Sequence, residues 1–427
     1  MAEALRAPLF VPPAPIEPDA LDIPWSLVVD LVARRLNLEG VSSLSSLQRE
    51  LKLAPPIIEA VFRHFQKEKL VEIRGTEGHD FMLGLTSAGH KFAADRQLAS
   101  HYAGAAPVSL EVYKSTVQAQ AARLKVNRYQ LRRIFSDLVV ENEVLDKVGP
   151  ALISQKSLFL FGPSGNGKTS LAERLVKIYD DAVVLPYAVE VDGQVICIFD
   201  PVVHHRLDMD CPGLDPRWIV CRRPEVMVGG ELSAEMLELR LDPASNIYAA
   251  PIQMKANNGI LVVDDFGRQV ISPATLLNRW ILPLDRRVDY LTLSYGLKFQ
   301  VPFELMIVFA TNLEPKHLMD PAFLRRIPNK ILMRSVSDRS FIEIFRREAA
   351  RYGFEFDPVV AEHLLSLCRS RGGLGLCACY PRDICQAAAS INAYEERPAQ
   401  LSLGDLERAV ELYFAESAQV GLTAKMS

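Results

Sequence analysis

No apolar run in the 427 residues approaches the ~20 residues that cross a bilayer as a helix, so the chain offers no candidate membrane span. An excess of charge is also missing. Lys and Arg total 48 against 52 Asp and Glu, a net charge of -4, so no global basic field marks a nucleic-acid binder, although a local basic face is compatible with that total. Cysteine is scarce and odd in number, seven in all, with no CxxC pair. That excludes a disulfide framework and speaks against zinc. Cys377, Cys379 and Cys385 cluster near Cys368 and read as small buried side chains of a helical region. The first fourteen residues have no charged-then-apolar pattern leading to a cleavage site, and together with reduced thiols this points to the cytoplasm. Internal repeats are absent.

What is present is an ordinary globular composition, 49% hydrophobic and 23% charged, in a chain long enough for two or three domains. Pro8, Pro12, Pro13, Pro15 and Pro18 predict an extended leader over residues 1–24. Leu27, Val28, Leu31, Val32 and Leu36 then form a helical apolar stripe. Ser43 to Leu53 and Pro56 to Leu70 read as second and third helices. Two strand-like pieces follow, Val71 to Arg74 and Phe81 to Leu85, around the turn Gly75-Thr76-Glu77-Gly78. A last helix starts near Leu85-Thr86-Ser87-Ala88-Gly89. This series resembles a winged helix-turn-helix domain over residues 25–105. Gly104 to Pro107 reads as a hinge, and residues 106–128 as a helical linker running into the basic stretch Arg123, Lys125, Arg128, Arg132 and Arg133.

From Tyr129 the chain alternates apolar strand-like runs with helical segments, which predicts a parallel sheet covered by helices over 129–335. After Ser335 the pattern is helical, a lid over 336–417, with a tail at 418–427. In the first strand-to-helix passage, Leu158-Phe159-Leu160-Phe161 runs into Gly162-Pro163-Ser164-Gly165-Asn166-Gly167-Lys168-Thr169, followed by a helix from Ser170. The spacing is G-x-x-x-x-G-K-[ST] in its required context. Glycines let the backbone close around phosphate, backbone N–H groups and the helix N-terminus face the anion, Lys168 adds a positive charge, and the Thr169 hydroxyl is a ligand for Mg2+. A second strand, Ile260-Leu261-Val262-Val263, ends in Asp264-Asp265, where open α/β sheets place their ligands. Asp264 is the expected Mg2+ partner and Asp265 the group that polarises the attacking water.

A third strand, Leu305 to Ala310, ends in Thr311-Asn312. Asp320-Pro321-Ala322-Phe323-Leu324-Arg325-Arg326-Ile327 follows, and Tyr380-Pro381-Arg382-Asp383-Ile384 opens a helix in the lid. The five features in this order resemble the AAA+ P-loop ATPases, over roughly Tyr129 to Ser417. The resemblance implies an α/β fold with a parallel sheet and helical lid, behind a small α+β winged-helix domain, and an ATPase using ATP and Mg2+. It implies that Gly162 to Ser170 bind nucleotide, that Asn312 is the sensor at a strand end, that Arg325 or Arg326 is an arginine finger, and that Arg382 is the lid sensor. A finger acting on a neighbour's ATP implies a homo-oligomer, most often a hexameric ring or spiral. The usual pattern carries aspartate then glutamate where this chain has Asp264-Asp265, so slow turnover with a switch-like role and normal turnover with a shifted backbone are both open.

From Lys168 to Asp264 is 96 positions, more than a bare core needs. Strand-like pieces at Ala182 to Ala188 and Val195 to Phe199, around the turn Asp192-Gly193, read as an insertion. Its His204-His205, Asp208, Asp210 and Cys211 read as a polar loop rather than a metal site. After Asp264, the apolar run Leu276 to Leu284 reads as a helix. Val288 to Leu293 and Leu297 to Val301 predict a hairpin around Tyr295-Gly296, as a lever on a substrate or as packing. The expected function is an ATP-driven machine that remodels or loads a macromolecule recruited by the winged helix. DNA is an alternative partner for residues 25–105, through Arg63, His64, Lys67 and Lys69 on the third helix. Ten Lys/Arg against nine Asp/Glu between Trp25 and Gly104 favour a protein partner instead.

Overall fold

The computed structural model describes residues 9–78, 80–318, 324–372 and 375–414. Backbone packing divides the chain into two units. The first holds Met1–Arg123, Tyr179–Val262 and Gln269–Ile307, and the second Leu124–Ile178, Val263–Arg268 and Val308–Ser427.

In the first unit, helices Trp25–Glu39, Leu44–Leu51, Pro55–Lys67 and Ser87–Ala99 pack their apolar stripes around a sheet ordered Val41–Ser43, Asp80–Leu85, Val71–Glu77, with antiparallel pairing throughout. Ser43 and Thr86 cap their helices by accepting the N–H groups of Ser46 and Gly89, which fixes where each helix begins. Val28, Leu31, Leu36, Leu51, Ile57 and Val61 are fully buried. Each fully buried side chain of this kind contributes about 1.5–3 kcal/mol relative to exposure. The strand Val71–Glu77 runs three residues beyond its expected end, through a register shift between Ile73 and Gly75.

Ala188 and Val195, from the insertion, belong to this same apolar cluster. The insertion forms two sheets: an antiparallel pair, Ala182–Pro186 with Trp218–Arg222, and a five-stranded sheet ordered Arg240–Asp242, Ile247–Ala249, Gln194–Cys197, Ala188–Val191, Val108–Ser109. The last strand comes from the stretch read as a linker. Helix Leu110–Ala119 follows it and buries Tyr113 and Val117 in the insertion's core. The expected hinge is held in place: Ala106 N–H donates to Leu51 O, and the Tyr102 hydroxyl to Ala105 O. Arg217, buried, donates to both Asp215 oxygens, to Asp22 and to Pro107 O. The hairpin Val288–Thr292/Lys298–Pro302 forms as expected, and the Tyr295 hydroxyl at its tip donates to Asp192 of the insertion at 2.6 Å. That contact favours packing over a free lever.

The sheet that carries the candidate site has five strands, labelled in chain order β1 (Leu158–Phe161), β2 (Glu225–Val228), β3 (Ile260–Val263), β4 (Met306–Thr311) and β5 (Asn329–Leu332). Its order is β2-β3-β4-β1-β5, and β1 pairs in parallel with both β4 and β5. Residues of β1, β3 and β4 are almost wholly buried, which is why they read as continuous apolar runs. In the second unit, helices Asp338–Arg351, Pro358–Arg371, Tyr380–Tyr394 and Leu403–Phe414 form the lid, around Phe341, Phe345, Leu364, Ile384 and Leu406. The end of the predicted lid beyond residue 414, and the tail, lie outside the described residues.

Candidate functional site

The site is built at the ends of β1, β3 and β4, within the second unit. After Phe161 the chain turns sharply. Gly162 has φ +136, and a Cβ there would lie 2.2 Å from Met333 O, so only glycine fits. Gly165 (φ +76) and Gly167 (φ +78) also take left-handed conformations, and Gly167 is the N-cap of helix Lys168–Leu175. The loop Gly162-Pro163-Ser164-Gly165-Asn166-Gly167 therefore ends at a helix N-terminus, whose unpaired N–H groups favour an anion.

Lys168 is buried, and its Nζ donates to Gly162 O at 3.0 Å and Pro163 O at 2.9 Å. Burial pushes its ammonium below the usual lysine range, while the Asp264 and Asp265 carboxylates pull the other way. Thr169 Oγ1 lies 3.1 and 2.9 Å from the two carboxylate oxygens of Asp264, at the end of β3. A hydroxyl beside a carboxylate at the mouth of a phosphate loop is an oxygen donor set suited to Mg2+. Ser170 lies in the first turn of the helix, and its carbonyl accepts from Arg174.

Asp265 is exposed and sits at φ +48. A left-handed backbone thus stands at the residue that departs from the usual glutamate. Phe266 is fully buried, with its ring edge-to-face to Phe159 and Phe309. Its N–H donates to Ala310 O at 2.7 Å, and its carbonyl accepts from Thr311 Oγ1 at 2.6 Å. Thr311, buried at the end of β4, also accepts Leu313 N–H at 3.1 Å. Asn312, the residue expected as the sensor, is half-buried next door. In the sequence Thr311 is marked only by its hydroxyl, which closes the otherwise apolar strand Met306–Thr311.

The lid meets the phosphate loop directly. Cys379 N–H donates to Gly165 O at 2.9 Å, and Ala378 N–H to Asn166 Oδ1 at 3.2 Å. Cys379 Sγ fills the space that a Cβ on Gly165 would take. Asn166 Nδ2 is buried with no partner, an orphaned donor in the loop. Nothing in the sequence announced this contact. Arg382 pairs with Asp383, Nε to Oδ1 at 2.9 Å. Arg325 is exposed and Arg326 half-buried in the turn before β5. Asp320, Pro321, Ala322 and Phe323 lie outside the described residues.

All seven cysteines are free thiols, and no group of three or more His, Cys, Asp or Glu suited to a metal occurs among the described residues. Burial raises the Cys368 and Cys385 thiols to about 12, which makes them inert. His204 accepts Asp200 N–H at Nδ1 and bonds Lys255 O through Nε2, so it is a neutral structural residue.

The phosphate loop follows β1 and the acid pair follows β3, with β4 between those two strands, and four helices follow the sheet in the chain, the α/β arrangement that the sequence led us to expect. Among solved structures, a RuvB variant of Thermotoga maritima shows 13% identity over 65% of this chain and 72% of that one, with a TM-score of 0.40. RuvB of the same organism described as a Holliday junction branch migration motor shows 13% identity over 69% and 72%, with a TM-score of 0.36. Residues 337–412, in the lid, match a family model described as a domain of unknown function, DUF8689. No curated protein matches the sequence.

Proposed function

We propose that the chain binds ATP with Mg2+ in the loop Gly162 to Thr169 and hydrolyses it, as an AAA+ ATPase working in a homo-oligomeric ring. The observation that carries this reading is the meeting of Lys168, Thr169 and Asp264 at one loop-helix junction. The orphaned Asn166 amide and the glycine cradle fit a phosphate chain and leave donors for it.

Bound Mg-ATP supplies a phosphoryl group that water can accept, giving ADP and phosphate. Lys168 exchanges its two carbonyl partners for phosphate oxygen. Thr169 and Asp264 would hold the metal, which would offset charge on the phosphate oxygens. Asp265 accepts a hydrogen bond from the attacking water and orients it, with Asn312 as the sensor of the same step. Arg325 or Arg326 completes a neighbour's site, and Arg382 trades Asp383 for nucleotide when the lid closes.

The work of this cycle is remodelling or loading of a macromolecule recruited by residues 25–105, read as a winged helix. Their balanced charge, with Ile73 and Phe81 exposed on the wing strands, fits a protein partner. Arg63, Lys67 and Lys69, exposed on or just after the third helix, support DNA as the second reading. Calorimetry of the full chain with Mg-ATP tests the core of the proposal, and no heat of association sinks it. Hydrolysis rates with and without duplex DNA across salt then separate the partners: steeply salt-dependent stimulation selects DNA.

A further inference from the structure

We propose that Thr311 is a positioning residue for Asp265, its buried hydroxyl anchoring the carbonyl of Phe266, the residue that follows this carboxylate. The proposal rests on the hydrolytic reading above. Thr311 closes β4 and is 1% exposed. Leu313 N–H occupies one lone pair of its Oγ1, so the hydroxyl proton is directed to Phe266 O, 2.6 Å away. Phe266 N–H in turn donates to Ala310 O. Both backbone polar groups of Phe266 are thus tied to the last two residues of β4, and its ring is locked between Phe159 and Phe309.

Asp265 sits between this anchor and Asp264, which is held by Thr169. Its φ of +48 lies in the left-handed region, which aspartate enters more readily than most side-chain residues but still at a cost in free energy. On its C-terminal side the Asp265 carbonyl accepts Arg268 N–H, Phe266 N–H is held by Ala310 O, and the Thr311 hydroxyl closes the anchor by holding Phe266 O, so that Asp265 precedes a residue fixed at both backbone groups. Thr311 also precedes Asn312, so the sensor position and the water-orienting carboxylate are held through one side chain.

The test is Thr311→Val, which keeps the shape and removes the donor, with Thr311→Ser as the rescue. We expect kcat for ATP hydrolysis to fall at least about tenfold in the valine variant, with ATP affinity by calorimetry within about twofold of wild type. Serine should return kcat to within about threefold. If the valine variant does not fold, Thr311→Cys, of similar volume and a weaker donor, takes its place with the same expectation. Wild-type turnover in the donor-deficient variant overturns the proposal, and so does a serine variant as slow as valine. A wild-type chain that binds ATP without hydrolysing it removes the hydrolytic reading first, and is told apart by the unmutated rate.

Discussion

The Thr169 hydroxyl faces both carboxylate oxygens of Asp264, 95 positions later in the chain, at 3.1 and 2.9 Å. That contact joins the first turn of helix Lys168–Leu175 to the end of β3. Removing either group should leave the loop formed but cost Mg2+. Thr169→Ala is expected to lower affinity for Mg-ATP at least about tenfold, with little loss for metal-free ATP. Calorimetry with and without EDTA checks this, and equal losses in both would contradict it.

Lys168→Ala should abolish measurable ATP binding, since it removes the buried positive charge at the loop. Asp265→Asn should bind ATP and fail to turn it over, with kcat lower by about a hundredfold or more. Undiminished hydrolysis in that variant would remove Asp265 from the chemistry.

The three left-handed loop glycines should not respond alike to alanine. At Gly162 the new Cβ meets Met333 O at 2.2 Å, whereas at Gly167 nothing lies within 4 Å. Gly167→Ala should cost only the strain of its backbone angle, about 1 kcal/mol. Gly162→Ala should cost several times that and displace the β1-β5 junction. Thermal unfolding of the two variants decides, and equal losses would mean that the turn at Gly162 yields to a methyl group without resistance from Met333.

His204 gives a pH signature. Burial lowers its pKa from 6.5, so the unfolded chain takes up the proton first as pH falls. The neutral ring's contribution is fully present above about pH 6.5 and shrinks below it, down to the lowered folded value. The stability difference between wild type and His204→Gln, from urea denaturation, should therefore narrow between pH 7.5 and 5.5. A constant difference would mean that the ring does not titrate in this way.

Much of the site was legible because its chemistry is local. Gly162, Gly165 and Gly167 are needed where φ is positive, Lys168 follows at a fixed spacing, and β1, β3 and, up to its closing Thr311, β4 are apolar because both faces are covered. What escaped the sequence was pairing across long separations. Val41–Ser43 is three residues long with two serines, too short for a period-two pattern, and is a strand only because Asp80–Leu85 lies beside it. Val108–Ser109 is a strand only because of Ala188–Val191. The lid's grip on the loop runs from Cys379 N–H to Gly165 O, a backbone bond with no side-chain code. Arg382 read as a lid sensor from its order, while the carboxylate it pairs with, Asp383, is simply the next residue.

Arg217 binds Asp22 and Pro107 O from a segment ~110 residues or more further along, and Ala188 and Val195 complete the apolar cluster of residues 23–106. A fragment ending near residue 105 would carry an open greasy wound where those two side chains belong, with Asp22 stripped of its cation. The amino-terminal region is therefore grafted onto the insertion rather than leashed to it.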